Sequence, residues 1–510
     1  MLLKIWKPID FLIDGISMYR LLLYYLVGLI FAAAVLSMTG VMHYSAVDIV
    51  ISSGVLVFAC WLINHILAVI FDASINPESS ILTGLILALI IPSHPTGYGL
   101  LFMLAAAGLA MASKYILAIK GKHIFNPAAI AVFLTAIGPH QTASWWVGTA
   151  SMLPFVLIGG ILLMRKVRRE SMVVAYLLAT TLATSIFSIF EHASIATNLS
   201  FMVLNSAAFF LGFVMLTEPY SSPDTKNKRI VYAVIVGIIL APQFHIGSIY
   251  STPESALIIG NIFAYLVSSK VKLFMKLKKK YLISKDSAEF VFTTPEGFNF
   301  KPGQYMEFTL PHQKPDSRGS RRYFTISSSP TEQDLKIGVR FYKEGSTFKY
   351  ELSHLGEGES MVAGQLSGDF VMPSDKSKKL LFIAGGIGVT PYRSMIKYLI
   401  DSREKRDVVL LYGVSSVDQI AYYDILEQAR LKLGLKVFYF VSGKGHKGNA
   451  DYTINSKITS SYVEKCVPDL LDRTIYISGP LPMIEDLSTA LNDLGVKRAN
   501  IKVDFFSGYA

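Results

Sequence analysis

The segment Ala384-Gly385-Gly386-Ile387-Gly388-Val389-Thr390-Pro391 follows the apolar run Leu380–Ile383 and precedes a helical stretch. Glycines at a strand-to-helix turn let a dinucleotide pyrophosphate approach the backbone and the helix N-terminus. Pro391 takes the last place of the Gly-x-Gly-x-x-Gly spacing, so a plain glycine turn stays open as the alternative. Leu411-Tyr412-Gly413 then runs into Val414-Ser415-Ser416 with no arginine to meet a 2′-phosphate, which points to NADH over NADPH. Lys444, His446 and Lys447 keep NADPH open. Asn76-Pro77 and Asn126-Pro127 each open a short apolar run. Asn is a good N-cap and Pro suits the first helical position; bare amides and a positive dipole end there suit a phosphate or carboxylate, the simpler alternative being a plain helix start. His65, Glu78, Lys114 and Glu218 stand beside apolar runs, where an ionisable residue is read as functional. Lys114 could equally snorkel to the membrane surface, and Glu218 could be interfacial. The two cysteines, Cys60 and Cys466, support neither a disulfide framework nor a set of iron–sulfur ligands.

Two architectures must position these groups. The 510 residues are 52% hydrophobic and only 17% charged, with mean hydropathy +0.44, too apolar for an ordinary soluble protein. The net charge of +11 sits at loop ends and at one junction, so membrane topology accounts for it and nucleic acid is not expected as a partner. Apolar runs follow one another from Leu21 to Val271; Ser79–Pro92 and Ile124–Gly138 are the short ones. Basic clusters at Lys120/Lys122, Arg165–Arg169, Lys226/Lys228/Arg229 and the junction are separated by two runs each, and four runs precede the first. All clusters can then lie on one side, with Lys4 and Lys7, which predicts about ten spans with both ends cytoplasmic. One re-entrant short run would break that parity. No cleavable signal is evident, since Met1–Asp14 is short and an uncleaved span follows.

The junction Ser268–Lys280 carries its lysines between Lys270 and Lys280, which reads as a cytoplasmic anchor at an anionic leaflet, the alternative being a solvated helix face. Beyond it, Phe290–Phe292, Tyr305–Phe308, Phe324–Ile326 and Gly338–Tyr342 predict short strands of a small antiparallel β-barrel. Leu380–Ile383, Val408–Tyr412, Lys436–Phe440 and Thr474–Ile477 alternate with helical stretches, which predicts an α/β doubly wound parallel sheet. The expected division is multi-domain: a polytopic α-helical membrane domain over 1–272, a flavin barrel over 273–377 and a nucleotide domain over 378–510.

Ile81–Pro92, Ser113-Lys114-Tyr115, Lys122–Ala129 and Met215-Leu216-Thr217-Glu218-Pro219 resemble the signature segments of one bacterial membrane family. Its members are the flavin-carrying membrane components of two complexes, the sodium-translocating NADH:quinone oxidoreductase and the Rnf complex. The resemblance covers most of Ser79–Ser269 and implies about ten helices in two inverted repeats. It also implies an FMN esterified through its phosphate to a threonine in a Ser/Thr-Gly-Ala-Thr motif. Here the corresponding stretch is Trp145-Trp146-Val147-Gly148-Thr149-Ala150-Ser151, so Thr149 is the attachment candidate, and a non-covalent flavin, or none, stays open. Asn126, opening the second short run, is the other candidate for holding this cofactor. Glu218 stands where the family has Asp.

The soluble half resembles the ferredoxin–NADP reductase superfamily from about Tyr281 to Ala510. Pro302-Gly303-Gln304-Tyr305 opens its flavin barrel. Arg322-Tyr323-Phe324-Thr325 matches the Arg-x-Tyr-Ser/Thr motif, with Phe for Tyr. The match implies that Arg322 pairs with a flavin phosphate, Phe324 lies on the isoalloxazine and Thr325 hydrogen-bonds near its N5; a guanidinium fork suits phosphate. Gly345-Ser346-Thr347 resembles the pyrophosphate loop. Gly385, Gly386, Gly388, Thr390 and Pro391 form the nicotinamide-nucleotide loop. Ser478-Gly479-Pro480 matches a motif that normally begins with Cys, so a thiol near the nicotinamide is replaced by a hydroxyl. Thr325 and Ser478 are thus the candidate catalytic residues, and an aromatic tail ending at Tyr509 would cover the flavin.

The expectation is a bacterial inner-membrane oxidoreductase with its reductase half in the cytoplasm. NADH, or NADPH, reduces FAD, and electrons pass to a membrane-half FMN and on to a quinone or carrier protein, with Na+ or H+ transport and further membrane subunits inherited from the resemblance. No metal site is expected. Relatives place an iron–sulfur carrier between reductase and membrane; without the cysteines, transfer is direct or uses a separate partner. One alternative is a membrane-anchored reductase serving a soluble acceptor. Another is a haem transmembrane reductase, disfavoured because His43, His65, His94, His123, His140, His192 and His245 lie mostly at run ends and do not form stacked pairs.

Overall fold

The computed structural model describes residues 9, 13, 15–42, 44–71, 77–119, 122–138, 141–242, 244–247, 249–268, 272–312, 315–316, 318–343, 345–443, 453–454 and 456–505. The chain divides into two units, Met1–Lys270 and Val271–Ala510.

In the first unit four helices are long and apolar enough to cross a membrane: Met18–Met38, Ala46–Ile70, Gly97–Ile116 and Glu170–Phe190. Ile195–Leu204 and Ala208–Met215, bent by 58°, make a fifth if they count as one broken span. Pro77–Ile90, Pro127–Ile137, Leu153–Val167, Lys226–Leu240 and Pro253–Val267 are shorter. At 1.5 Å per residue, the 14 residues of Pro77–Ile90 reach about 21 Å, against about 30 Å of hydrocarbon. Two apolar runs are thus not single helices. Trp146–Gly148 is a 3-10 turn and the helix after it starts at Leu153, with Pro154 in its first turn. The run Phe201–Leu216 breaks at Asn205 and resumes into a π-helical turn, Leu211–Met215. Hydropathy does not register either break, because both follow from backbone bonding. The long helices expose Phe31, Phe58, Ile66, Leu178, Leu182 and Phe190. A face that apolar is the kind lipid solvates and water does not.

The second unit holds two six-stranded sheets. Strands β1 (Lys272–Ser284), β2 (Ser287–Phe292), β3 (Tyr305–Thr309), β4 (Arg321–Thr325), β5 (Leu335–Arg340) and β6 (Ser360–Ser367) pair antiparallel in the order β4-β3-β6-β1-β2-β5. An isolated bridge, Ile326 to Ile337, links the two ends of that order. The lysine-rich junction is therefore strand, not a continuation of the last apolar helix. Leu273, Met275 and Leu277 point into the core while Phe274, Lys276 and Lys278 point out, the period-2 pattern of a half-buried strand. Lys278 pairs with Asp334 at 2.6 Å and Lys280 donates to Ser353 O at 2.8 Å.

The second sheet, β7 (Leu380–Gly385), β8 (Val408–Val414), β9 (Lys436–Val441), β10 (Thr453–Ile454), β11 (Thr474–Gly479) and β12 (Ile501–Phe505), is wholly parallel in the order β10-β9-β8-β7-β11-β12. The chain winds outward from β7 through β8 and β9, then returns to lay β11 on the other side. The crevice between the carboxyl ends of β7 and β11 is the topological switch point, where ligands of open parallel sheets bind.

Candidate functional site

On the flavin side, β4 pairs Arg322 with Phe308 and Phe324 with Met306 across β3. Arg322 Nη1 donates to the carbonyls of Arg318 at 2.7 Å and Gly319 at 3.2 Å, which fixes the guanidinium while its plane lies 5.2 Å from the Phe348 ring. Phe348 also sits 6.0 Å from Phe324, so the first turn of helix Thr347–His354 backs both motif residues. Ser346 caps that helix, its Oγ accepting from Lys349 N–H, and Thr347 N–H donates to Asp316 Oδ2 at 3.1 Å. Burial opposes ionisation of Asp316, but the Thr347 amide and Arg318 hold its carboxyl below the usual range. Alternation along β4 turns Tyr323 to the other face: it is 42% exposed, and its hydroxyl donates to Gln365 Oε1 at 3.1 Å. Tyr323 is thus not gathered with Arg322 and Phe324.

On the nucleotide side, β7 ends at Gly385 and a 3-10 turn, Gly386–Val389, feeds helix Thr390–Ser402 with Pro391 in its first turn. Gly386 has φ +55°, open to glycine at no cost. A Cβ on Gly388 would stand 2.5 Å from Ser478 O and 2.8 Å from Gly479 Cα, and one on Gly385 would stand 3.0 Å from Pro480 Cδ. The two nucleotide motifs therefore interlock at the switch point. The same helix ties the sheets together. Arg393 donates to Ser327 O at 3.0 Å and forms a forked pair with Glu332, with Nη2 to Oε1 at 3.0 Å, while Ser394 Oγ donates to Ser328 O at 2.6 Å. Burial opposes ionisation of Glu332, but Arg393 holds the carboxyl down at about 2.

Thr325, Ser478 and Asp504 meet where the two sides join. Ser478 and Asp504 are register partners on β11 and β12, and Thr325 lies against Asp504. All three are buried, yet Thr325 Oγ1, Ser478 Oγ and Asp504 Oδ2 have no well-formed hydrogen bond among the described residues. Burial pushes the Asp504 carboxyl up to about 7, with the Thr325 hydroxyl offsetting part of the rise. Orphaned buried polar atoms are rare, and three together fit a polar ligand. Asp504 was legible only as the start of an aromatic tail; the signal for more is an acid in the otherwise strand-like Ile501–Phe505. Tyr509, Lys444, His446 and Lys447 lie outside the described residues.

In the membrane half, the expected bare amides at Asn126 are already capped. Asn126 Oδ1 accepts from the amides of Ala128 and Ala129, both at 3.1 Å, and its Nδ2 donates to Glu218 Oε2 at 2.9 Å. A carboxylate, also held by Ser221 at 2.7 Å, thus occupies the end of the dipole where an anion was expected, and His123 Nε2 stands 3.5 Å from its other oxygen. Ser79, Thr83, Asn126, Thr217 and Glu218 are among the polar residues lining a cavity of about 60 Å³ whose walls include Leu82, Leu163 and Val214. Asn76 lies outside the described residues. Lys114 Nζ donates to Ser79 O and Oγ at 3.0 Å each, and Glu78 faces Arg20 at 3.8 Å. Thr149 is half-buried after the 3-10 turn, its Oγ1 3.2 Å from Ser151 Oγ.

Comparison with known proteins matches three family models to parts of the chain. Residues 146–274 match the NQR2, RnfD, RnfE family, residues 274–366 the oxidoreductase FAD-binding domain and residues 382–489 the oxidoreductase NAD-binding domain. A flavohemoprotein of Candida albicans is 29% identical over 212 residues, 41% of this chain and 51% of its own length. The glycine betaine monooxygenase reductase subunit of Chromohalobacter salexigens is 26% identical over 219 residues, 42% of this chain and 59% of its own. The chain spans about half the length of such relatives. The flavohem-like FAD/NAD binding domain of a Vibrio cholerae nitric oxide dioxygenase superposes with TM-score 0.40 at 20% identity, covering 46% of this chain and 98% of that one.

Proposed function

We propose that this union of an NQR2, RnfD, RnfE family segment with oxidoreductase FAD-binding and NAD-binding domains is a membrane flavo-oxidoreductase. It oxidises NADH, or NADPH, at FAD and passes electrons to an FMN in the membrane half, then to a quinone or partner protein, with Na+ or H+ movement coupled to the flow. The about ten crossings of the membrane unit, the six-stranded antiparallel sheet as a flavin barrel, and Thr149 as the FMN anchor belong to the same proposal.

The observation that carries it is the meeting of orphaned Thr325, Ser478 and Asp504 between the Arg322 strand and the interlocked glycine turns. When bound, FAD accepts hydride from a nicotinamide and releases electrons singly, and FMN takes them over. The protein's own part is placement. Arg322 and the Ser346–Thr347 helix start would hold the flavin phosphates, and Phe324 would face the ring. The Gly386–Gly388 turn would admit the nucleotide pyrophosphate. Asp504 can hold a proton near neutral pH beside Thr325. Glu218, held by Asn126 and Ser221, is suited to a cation or proton rather than to a phosphate.

A flavin census on the detergent-solubilised protein tests this. Acid extraction should yield FAD, with FMN either released or retained on the peptide bearing Thr149. Arg322→Ala should lose FAD and NADH oxidation while keeping the membrane flavin. FAD alone would leave a membrane-anchored reductase with a soluble acceptor, and full NADH oxidation in Arg322→Ala would refute the site.

A further inference from the structure

We propose that His123 and Glu218 form a proton-binding pair in the membrane half, and that the ion taken there is H+ rather than Na+; the inference rests on the coupled-ion reading above. Glu218 Oε2 accepts from Asn126 Nδ2 at 2.9 Å and from Ser221 Oγ at 2.7 Å. Its Oε1 faces His123 Nε2 at 3.5 Å. That nitrogen is buried and has no well-formed hydrogen bond among the described residues. Tyr220 stacks on the imidazole, with ring centroids 5.3 Å apart, which limits its rotation away from the carboxylate. Neighbouring Glu and His side chains are what membrane proteins use to relay protons.

A sodium ion needs a shell of oxygen acceptors, supplied in membrane proteins by backbone carbonyls at unwound or C-terminal helix ends. The surroundings of Glu218 are the reverse. Asn126 Oδ1 is taken by the Ala128 and Ala129 amides, and Glu218 O by Ser222 Oγ at 2.6 Å. Ser79 O is taken by Thr83 Oγ1 at 2.8 Å and Lys114 Nζ at 3.0 Å. The helix end here is the N-terminus of Pro127–Ile137, whose dipole repels a metal cation. Lys114 and Tyr232 act electrostatically on Glu218, and Arg169 acts on Tyr232. Tyr19 lines the cavity, and Glu78 is turned to Arg20. These neighbours suit one group that alternates between a carboxylate, held by donors, and a carboxylic acid. The step moves the proton of the imidazolium Nε2–H to Oε1. It leaves a neutral imidazole and a carboxylic acid that keeps both bonds at Oε2. His123 pairs with Ala118 across a short hairpin and adjoins the Lys120/Lys122 cluster, the side predicted to be cytoplasmic, while Glu218 lines the cavity.

The test is infrared difference spectroscopy on the detergent-solubilised full-length protein, titrated with acid in sodium chloride and again in choline chloride. It does not require bound FMN. One protonated-carboxyl band should be missing in Glu218→Gln. The same band should move rather than vanish in Glu218→Asp, which assigns it should the first variant not accumulate. Its titration midpoint should be the same in both salts. In His123→Gln the midpoint should move by about one pH unit or more, a modest part of the interaction expected of two charges so close. A midpoint that falls as sodium rises would show Na+ competing for the carboxylate and overturn the proposal. So would a midpoint unmoved in His123→Gln, or the absence of any titrating band assignable to Glu218. A sodium-independent titration in a protein that yields FAD alone would refute the two-flavin reading and leave this proposal standing. Sodium competition in a protein that holds both flavins would do the reverse.

Discussion

Asp504 carries its proton to about 7, well above an ordinary carboxyl, because β12 buries it beside Thr325 and Ser478. With the folded value raised, the folded state binds more protons than the unfolded one between about pH 4 and 7. Stability is therefore full below that window and falls as pH rises through it, by roughly 4 kcal/mol as an upper figure. Asp504→Asn should flatten the decline in Tm between pH 5 and 8 and remove a step near pH 7 from the NADH-oxidation profile. An unchanged Tm slope in the variant would assign the titration to another group. Arg322 and Thr325 could be singled out from the sequence because the motif that carries them is contiguous. Asp504 could not, since what alters it is burial by residues distant in the chain.

At the scale of elements, helix Thr390–Ser402 does two things at once. Its start presents the glycine turn, and Arg393 and Ser394 fasten it to Ser327, Ser328 and Glu332 of the antiparallel half. Glu332 is held at about 2, below its unfolded value. The pair thus contributes stability above about pH 4.5 that is lost as pH falls toward 2. Removing the guanidinium leaves the half-buried carboxylate with Lys336 at 2.9 Å and the Ser329 amide only, and Arg393→Ala should cost about 3 kcal/mol in thermal or denaturant unfolding at pH 7. It should also shrink the acid-side slope without abolishing it, since Lys336 and the Ser329 amide still hold the carboxyl down; a loss below about 1 kcal/mol would mean that water replaces the pair. Four of the six strands of the parallel sheet were legible from apolar runs; β10 and β12 were not. Strand β1 was not: five lysines between Lys272 and Lys280 hide the alternation of Leu273, Met275 and Leu277.

For the whole molecule, the lysine and arginine clusters predict that both termini and the reductase unit lie on the cytoplasmic side. Cys466 offers a direct check, since it is partly exposed and Cys60 is buried. A membrane-impermeant maleimide should label Cys466 in inside-out vesicles and not in right-side-out ones; the reverse would invert the topology. By itself, the sequence determined the union of an apolar helical half with a reductase half and four of the six strands of the parallel sheet. These depend on composition, short-range periodicity and contiguous residues. Only the tertiary structure decided that the junction is a strand, that Asn126 caps its own helix against Glu218, and that Thr325, Ser478 and Asp504 meet. Each of those depends on which distant backbone or side chain satisfies a buried polar group, and that is settled by packing, not by local pattern.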